Sequence, residues 1–289
     1  MRPAPALLDR LSRRRLIPRV APASRGIGER RSRQKGPGLE FMEHRPYQPG
    51  DDLRHLDPHL YARLGEAHIR EYEVYRQLPV TILIDASASM LIGDRRRHRH
   101  ALELAALLGH VALAGGDQLR FAVAGQGRLD WSPLFQTPSC VDRALDWLDR
   151  APAPGGDLGD CLPAAARRIE GRGLTLLLSD WWDIADLPRP LVRRLGAELW
   201  AVQIATPEDT DPALLPQGDL RLADPETGAT VDLVLDAAVC ERFRRTAQAF
   251  RDDLRARIEG AGGRYLPVST ATPLHDLLLR DWPALGVIA

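Results

Sequence analysis

Apolar positions are sparse and irregular over the first 77 residues, and from Leu78 onward they fall into blocks. VTILI, LTLLL and LWAVQI are near-continuous apolar runs, the pattern of strands covered on both faces; LRFAVAG adds a fourth strand. Between them HRHALELAALLGHVALAG, CVDRALDWLDR, LGDCLPAAARRIE and PLVRRLGAE predict helices. Strand and helix alternate, which predicts a doubly wound, mostly parallel α/β sheet with a helical layer on each face. After Thr206, LRLADPETGATVDLVLD predicts two strands joined by a turn at DPETG. A long helix over residues 237–260 follows, with Phe243, Ala247, Phe250, Leu254 and Ile258 at helical spacing. GGRYLPVST and PLHDLLLRDW predict a last short strand and a last helix. Upstream, the period-two alternation of AHIREYEVYRQ predicts a half-exposed strand. Three stretches result: a basic N-terminal helix and arm over residues 1–38, a polar, turn-rich segment over 39–77, and the sheet domain over 78–289.

Composition narrows the class. Hydrophobic residues at 44% and charged residues at 27% fit a soluble globular chain. With 39 Lys and Arg against 39 Asp and Glu, the chain lacks the basic surplus that phosphate backbones require, so nucleic acid is not expected as a partner. The cations do crowd residues 10–35, which reads as a solvated arm. Cys140, Cys161 and Cys240 form no C-x-x-C pair, so neither a disulfide framework nor a zinc site is suggested. The apolar part of MRPAPALLDRLSRRRL is too short for a signal peptide, and ALELAALLGHVALAGG is too short to span a bilayer. A cytoplasmic protein is expected.

The candidate chemistry sits at the end of the first apolar run, LPVTILIDASASM, which empties into Asp85, Ser87 and Ser89. In an open parallel sheet, ligands collect at the carboxyl ends of strands. Asp180 ends GLTLLLSD in a similar way, and GGDLGD adds Asp157 and Asp160 at the start of a helix. Carboxylates and hydroxyls without His or Cys form a hard-oxygen set suited to magnesium or manganese, or to calcium. The plain structural reading is an Asx turn at Asp85 with the serines bonded to backbone amides. A phosphoryl-transfer D-x-D would need a second carboxylate at Ser87, and a nucleophile elbow would need G-x-S-x-G, so neither is read here. The segment RPYQPGDDLRHLD offers a turn at Pro49 and Gly50 across which Arg45, Asp51, Asp52, Arg54 and Asp57 can pair. With Tyr47 it is also a candidate partner-binding segment. His55, Asp57 and His59 alternate, which on a strand would put three metal ligands on one face; a metal-dependent hydrolase is therefore the alternative reading. His98 and His100, among Arg95, Arg96, Arg97 and Arg99, read as an exposed basic helix start. Trp181 and Trp182 read as one core residue and one rim anchor for a partner.

D-A-S-A-S-M after a hydrophobic strand resembles the opening of the metal-ion-dependent adhesion site of von Willebrand factor A domains. The upstream R-P-Y-Q-P-G-D-D-L-R-H-L-D, followed by Ala62 and Arg63, resembles the signature of the bacterial domain-of-unknown-function family 58, and the likeness covers residues 39–280. The resemblance implies a von Willebrand factor A-like sheet that binds a divalent ion and a protein partner and is not an enzyme. It also implies work as an adaptor for a MoxR-type AAA+ ATPase and its client in assembling or maturing protein complexes. Carried over by position, Asp85, Ser87 and Ser89 match the first metal loop and Asp180 the distal aspartate. Two positions depart from the family pattern. The middle loop reads G-G-D-L-G where G-G-T-D-L-G is usual, placing Asp157 at or beside the missing Thr, and Asp57 is followed by Pro58 where I-D-W is usual.

Overall fold

The structure, a computed structural model, describes residues 3–20, 30–36, 40–125, 127–150, 158–182, 184, 187–224 and 228–289. In chain order its elements are α1 (Pro5–Leu11), β1 (Arg30–Gly36), β2 (Glu40–Pro46), α2 (Pro58–Leu64), β3 (His68–Arg76), β4 (Pro79–Asp85) and α3 (Ile92–Ala114). There follow β5 (Gln118–Gly125), β6 (Arg128–Trp131), α4 (Val141–Asp149), α5 (Leu158–Ile169), β7 (Leu174–Ser179), α6 (Arg189–Leu195) and β8 (Glu198–Ala205). The chain ends with β9 (Gly218–Ala223), β10 (Thr230–Leu235), α7 (Ala237–Gly260), β11 (Arg264–Ser269) and a helical stretch over 274–284.

The main sheet has six strands in the order β11-β8-β7-β4-β5-β6. All its pairings are parallel except that of β6 with β5. The predicted doubly wound α/β sheet is therefore present, with an antiparallel edge that four residues of mixed polarity, RLDW, did not announce. Two cores flank it. Val80, Ile82 and Ile84 of β4 enter one, with α3 and α4, whereas Leu83 enters the other, with α5, α6 and the Leu254 and Ile258 face of α7. That alternation is the period-two geometry of a strand buried on both sides. Helix α3 lies close to the sheet because Gly109 has no side chain: a Cβ there would fall 2.7 Å from the Phe121 ring. The helix begins at Ile92, six residues before the predicted start.

Two smaller sheets accompany it, β1-β3-β2 and the β9-β10 hairpin. The segment over 10–20 is not a free solvated arm. Leu11 and Leu16 are fully buried, and Leu16 bridges Ile288. Buried Glu198 is the reason: it accepts from the backbone of Arg19 and Val20 and from the Trp200 indole, and it faces Arg264 Nε at 3.0 Å. Arg264 in turn donates to the Ile17 and Gly286 carbonyls. Residues 15–20 thus form a strap across the sheet end where β8 and β11 begin.

Candidate metal centre

Parallel pairing of β4 with β7 sets Ile84 opposite Leu178, so the residues just beyond, Asp85 and Ser179, meet across the sheet. The Ser179 hydroxyl donates to Asp85 Oδ2 at 2.6 Å, and the Ser87 amide donates to Asp85 Oδ1 at 2.8 Å. The second contact is the Asx turn that the sequence allowed. It coexists with the cluster: the Ser87 and Ser89 hydroxyls are 3.0 Å apart, and Asp85, Ser87, Ser89 and Asp180 are all buried. Sequence reasoning quoted the S-D pair but passed over Ser179, which orients the first carboxylate.

The second carboxylate is the anomaly. Asp180 is 1% exposed, and its Oδ2 is buried with no hydrogen-bond partner among the described residues. Burial, then the nearby Asp85 charge, push its pKa up to about 7, against smaller opposing contributions from Arg97, Ser89 and the Trp182 amide. Its backbone is fixed from the neighbouring strand, because Gln203 donates to the Asp180 carbonyl at 3.1 Å and Tyr265 donates to Gln203. Trp181 follows in the left-handed region at φ 69°, unusual for a side chain of that size, and its indole donates to the Val202 carbonyl.

Arg97 corrects the expectation of an exposed basic start to α3. It is buried, donates to the Ser89 carbonyl at 3.0 Å and forms an ion pair with Asp209. Asp209 caps the turn after β8 through the Thr206 amide, so one guanidinium ties the serine loop to that turn. His100 is buried too, with Nε2 unpartnered and its pKa lowered by burial. It lines a separate cavity of about 440 Å³ between α1, α3 and the 270–275 loop. A run of cations and histidines gave no sign of which would point inward.

The donor set fits a hard divalent cation. Asp85, Ser87, Ser89 and Asp180 supply oxygens only, and the acceptor left unsatisfied in the buried cluster is a carboxylate oxygen. No group of three or more His, Cys, Asp or Glu able to hold a metal occurs among the described residues, so any ion here relies on hydroxyl oxygens and water as well. Asp157 lies outside the described residues.

The other candidates sit elsewhere. Arg45 holds Asp51 with two 2.6 Å hydrogen bonds, and Arg54 holds Asp52; each Arg draws its carboxyl down to about 2. The turn between them has the Asp51 amide on the Gln48 carbonyl and Gly50 at φ 105°, and the Tyr47 amide bonds the Ala67 carbonyl. His55, Asp57 and His59 do not share a strand face. Asp57 caps α2 through the His59 and Leu60 amides and pairs with His44, His55 lies on the preceding helical turn, and His59 is exposed on α2. Trp181 is buried, while Trp182 is 39% exposed and stacks on Phe250 at 4.5 Å.

The family profile described as "Protein of unknown function DUF58" matches residues 43–253, most of the chain. The chain is a DUF58 protein. An uncharacterized protein of Mycobacterium tuberculosis is 32% identical over 258 residues, covering 86% of this chain and 78% of that protein. Among solved structures, the SpRpn10 VWA domain aligns with a TM-score of 0.38 at 12% identity, over 72% of this chain and 96% of that domain. Proximal thread matrix protein 1 from the mussel byssus aligns with a TM-score of 0.36 at 21% identity, over 45% of this chain and 38% of that protein. The DUF58 protein has an α/β fold, with a mixed, mostly parallel six-stranded sheet and small N-terminal elements. Among its described residues no helix is long and apolar enough to cross a membrane.

Proposed function

We propose that this DUF58 protein is a non-enzymatic cytoplasmic adaptor that binds a protein partner through a divalent ion, magnesium or manganese, held by Asp85, Ser87, Ser89 and Asp180. The observation that carries the reading is the buried, unpartnered Asp180 Oδ2 beside a second buried carboxylate and two serine hydroxyls. A bound cation would supply the missing positive charge and, keeping part of its water shell, would leave room for an acidic side chain of the partner. The protein's own groups position the site: Ser179 orients Asp85, Gln203 holds the Asp180 backbone, and Arg97 fixes the serine loop. The partner class that the family resemblance favours is a MoxR-type AAA+ ATPase with its client. Trp182 and the segment containing Arg45, Tyr47, Asp51, Asp52 and Arg54 are further contact candidates.

Capture of a recombinant MoxR-type AAA+ ATPase, in magnesium and in chelator, with wild type and Asp85→Ala, tests the reading. Capture is expected only for wild type in magnesium. Equal capture in all four arms refutes metal-bridged recognition, and absence of heat on titrating millimolar magnesium or manganese into the apo-protein refutes the site itself.

A further inference from the structure

At the opposite end of the sheet, where β4 and β5 begin, two guanidinium groups line one cavity with no acid among the described residues paired to either. Arg120 of β5 stands opposite Thr81 of β4, on the strand face that carries Ala122 and Ala124. Arg168, in the last turn of α5, lies over the Trp131 ring of β6 at 4.6 Å. With Gln118 and Arg172 these residues line a half-open cavity of about 200 Å³. Among the described residues neither Arg120 nor Arg168 forms an ion pair, and Arg120 Nε is buried without a hydrogen-bond partner. Arg172 alone of the three has a counter-charge, Glu170 at 2.8 Å. Burial, then the Arg168 charge, lower the Arg120 pKa. The end of α5 offers Arg168 some compensation through its exposed carbonyls, and the Trp131 face offers more. Arg120 has neither, and a half-buried guanidinium left in that state is costly unless a ligand completes it.

We propose that Arg120, Arg168 and Arg172 bind a small phosphate-type oxyanion, inorganic phosphate or a small phosphate monoester, with Thr81 and Gln118 as additional polar contacts. Planar guanidinium forks match phosphate oxygens in bidentate geometry, and two of them on one anion satisfy its double charge. The cavity is smaller than the roughly 300–1,000 Å³ of sites for drug-sized ligands. A whole nucleotide is therefore not the ligand.

The test is isothermal titration and thermal unfolding of the full chain with inorganic phosphate, glycerol phosphate or potassium chloride at matched ionic strength. Phosphate is expected to bind and to raise the unfolding midpoint where chloride does not. Arg120→Met and, separately, Arg168→Met are expected to weaken phosphate binding by about tenfold or more. Arg120→Met is also expected to raise the midpoint of the unliganded protein, because it removes one of two adjacent like charges. Tighter binding of glycerol phosphate than of phosphate assigns the site to a monoester, and the reverse order assigns it to the free ion. No phosphate response beyond that of chloride, or an undiminished response in both variants, overturns the proposal.

Discussion

Asp180→Asn removes a buried charge while keeping the side chain's shape, and its effect on stability has a sign that depends on pH. In the folded protein the Asp180 pKa stands at about 7 against 3.8 for the ordinary carboxyl, chiefly through burial and secondarily through Asp85. Below 3.8 the group is protonated whether the chain is folded or not, and it contributes nothing to the pH dependence. Between 3.8 and about 7 the folded state holds a proton that the unfolded state has released, so stability falls as pH rises. Above about 7 the full penalty applies, and a shift of that size corresponds to about 4 kcal/mol. In chelator, therefore, Asp180→Asn is expected to be more stable than wild type by about 4 kcal/mol at about pH 8.5 and by only about 1–2 kcal/mol at about pH 5. Urea unfolding followed by tryptophan fluorescence measures both, with Trp181 and Trp182 adjacent to the substitution. Because groups remote from the site titrate alike in the two proteins, the quantity to read is the difference between them. A difference that stays within about 1 kcal/mol at both pH values would refute the claim that Asp180 is an uncompensated buried carboxyl.

In millimolar magnesium the order at high pH is expected to reverse: the wild-type midpoint rises as the cation meets both carboxylates, while Asp180→Asn and Asp85→Ala respond little. An equal rise in all three proteins would locate the effect elsewhere. Glu198→Ala is expected to cost about 3–5 kcal/mol because it leaves Arg264 buried without its acid. It should also release the 15–20 strap, so that trypsin cleaves at Arg19 under native conditions. Wild-type protease resistance in that variant would show that the strap holds without its anchor. Gly173→Ala is expected to destabilise by about 2 kcal/mol or more, since the residue sits at φ 65° and a Cβ would fall 2.0 Å from the Pro79 carbonyl oxygen. A neutral result in chemical unfolding would show that the β4-β7 edge yields more easily than its packing implies.

What the sequence made legible follows from periodicity. The runs VTILI, LTLLL and LWAVQI can be satisfied only by burial on both faces, and that requirement alone places them in the middle of a parallel sheet. The helix over 237–260 was readable to its ends, because Asp236 caps it and its apolar positions keep helical spacing. Asp85 and Asp180 were legible as strand-end acids, and the direct pairing of β4 with β7 turns that pattern into a shared site. Short, polar elements were not legible. RLDW gains a strand only by pairing at the sheet edge, and RRSRQKG only by pairing with β3. Arg97 and His100 were misjudged because a cationic run at a helix start ordinarily faces water. Burial of Arg97 depends on Asp209, which lies more than a hundred residues away in the chain and which no local pattern announces.

Two of the costly features of this fold fall at opposite ends of its central strands. Among the described residues, where β4 and β7 finish there are two buried carboxylates, an unpartnered oxygen and a tryptophan at positive φ; where β4 and β5 begin there are two guanidiniums without an acid. Between them the strands are apolar apart from Thr81 and Thr175, and their backbone groups pair within the sheet. A chain selected for stability alone would have little reason to keep unbalanced charge at either end, because neutral side chains of similar shape relieve both penalties. The uncompensated charge has opposite sign at the two ends, so each calls for a ligand of opposite sign, and neither can neutralise the other across the length of the strands. That separation makes the two readings independent: magnesium tests the acidic end, phosphate tests the basic end, and failure of one leaves the physical case for the other intact.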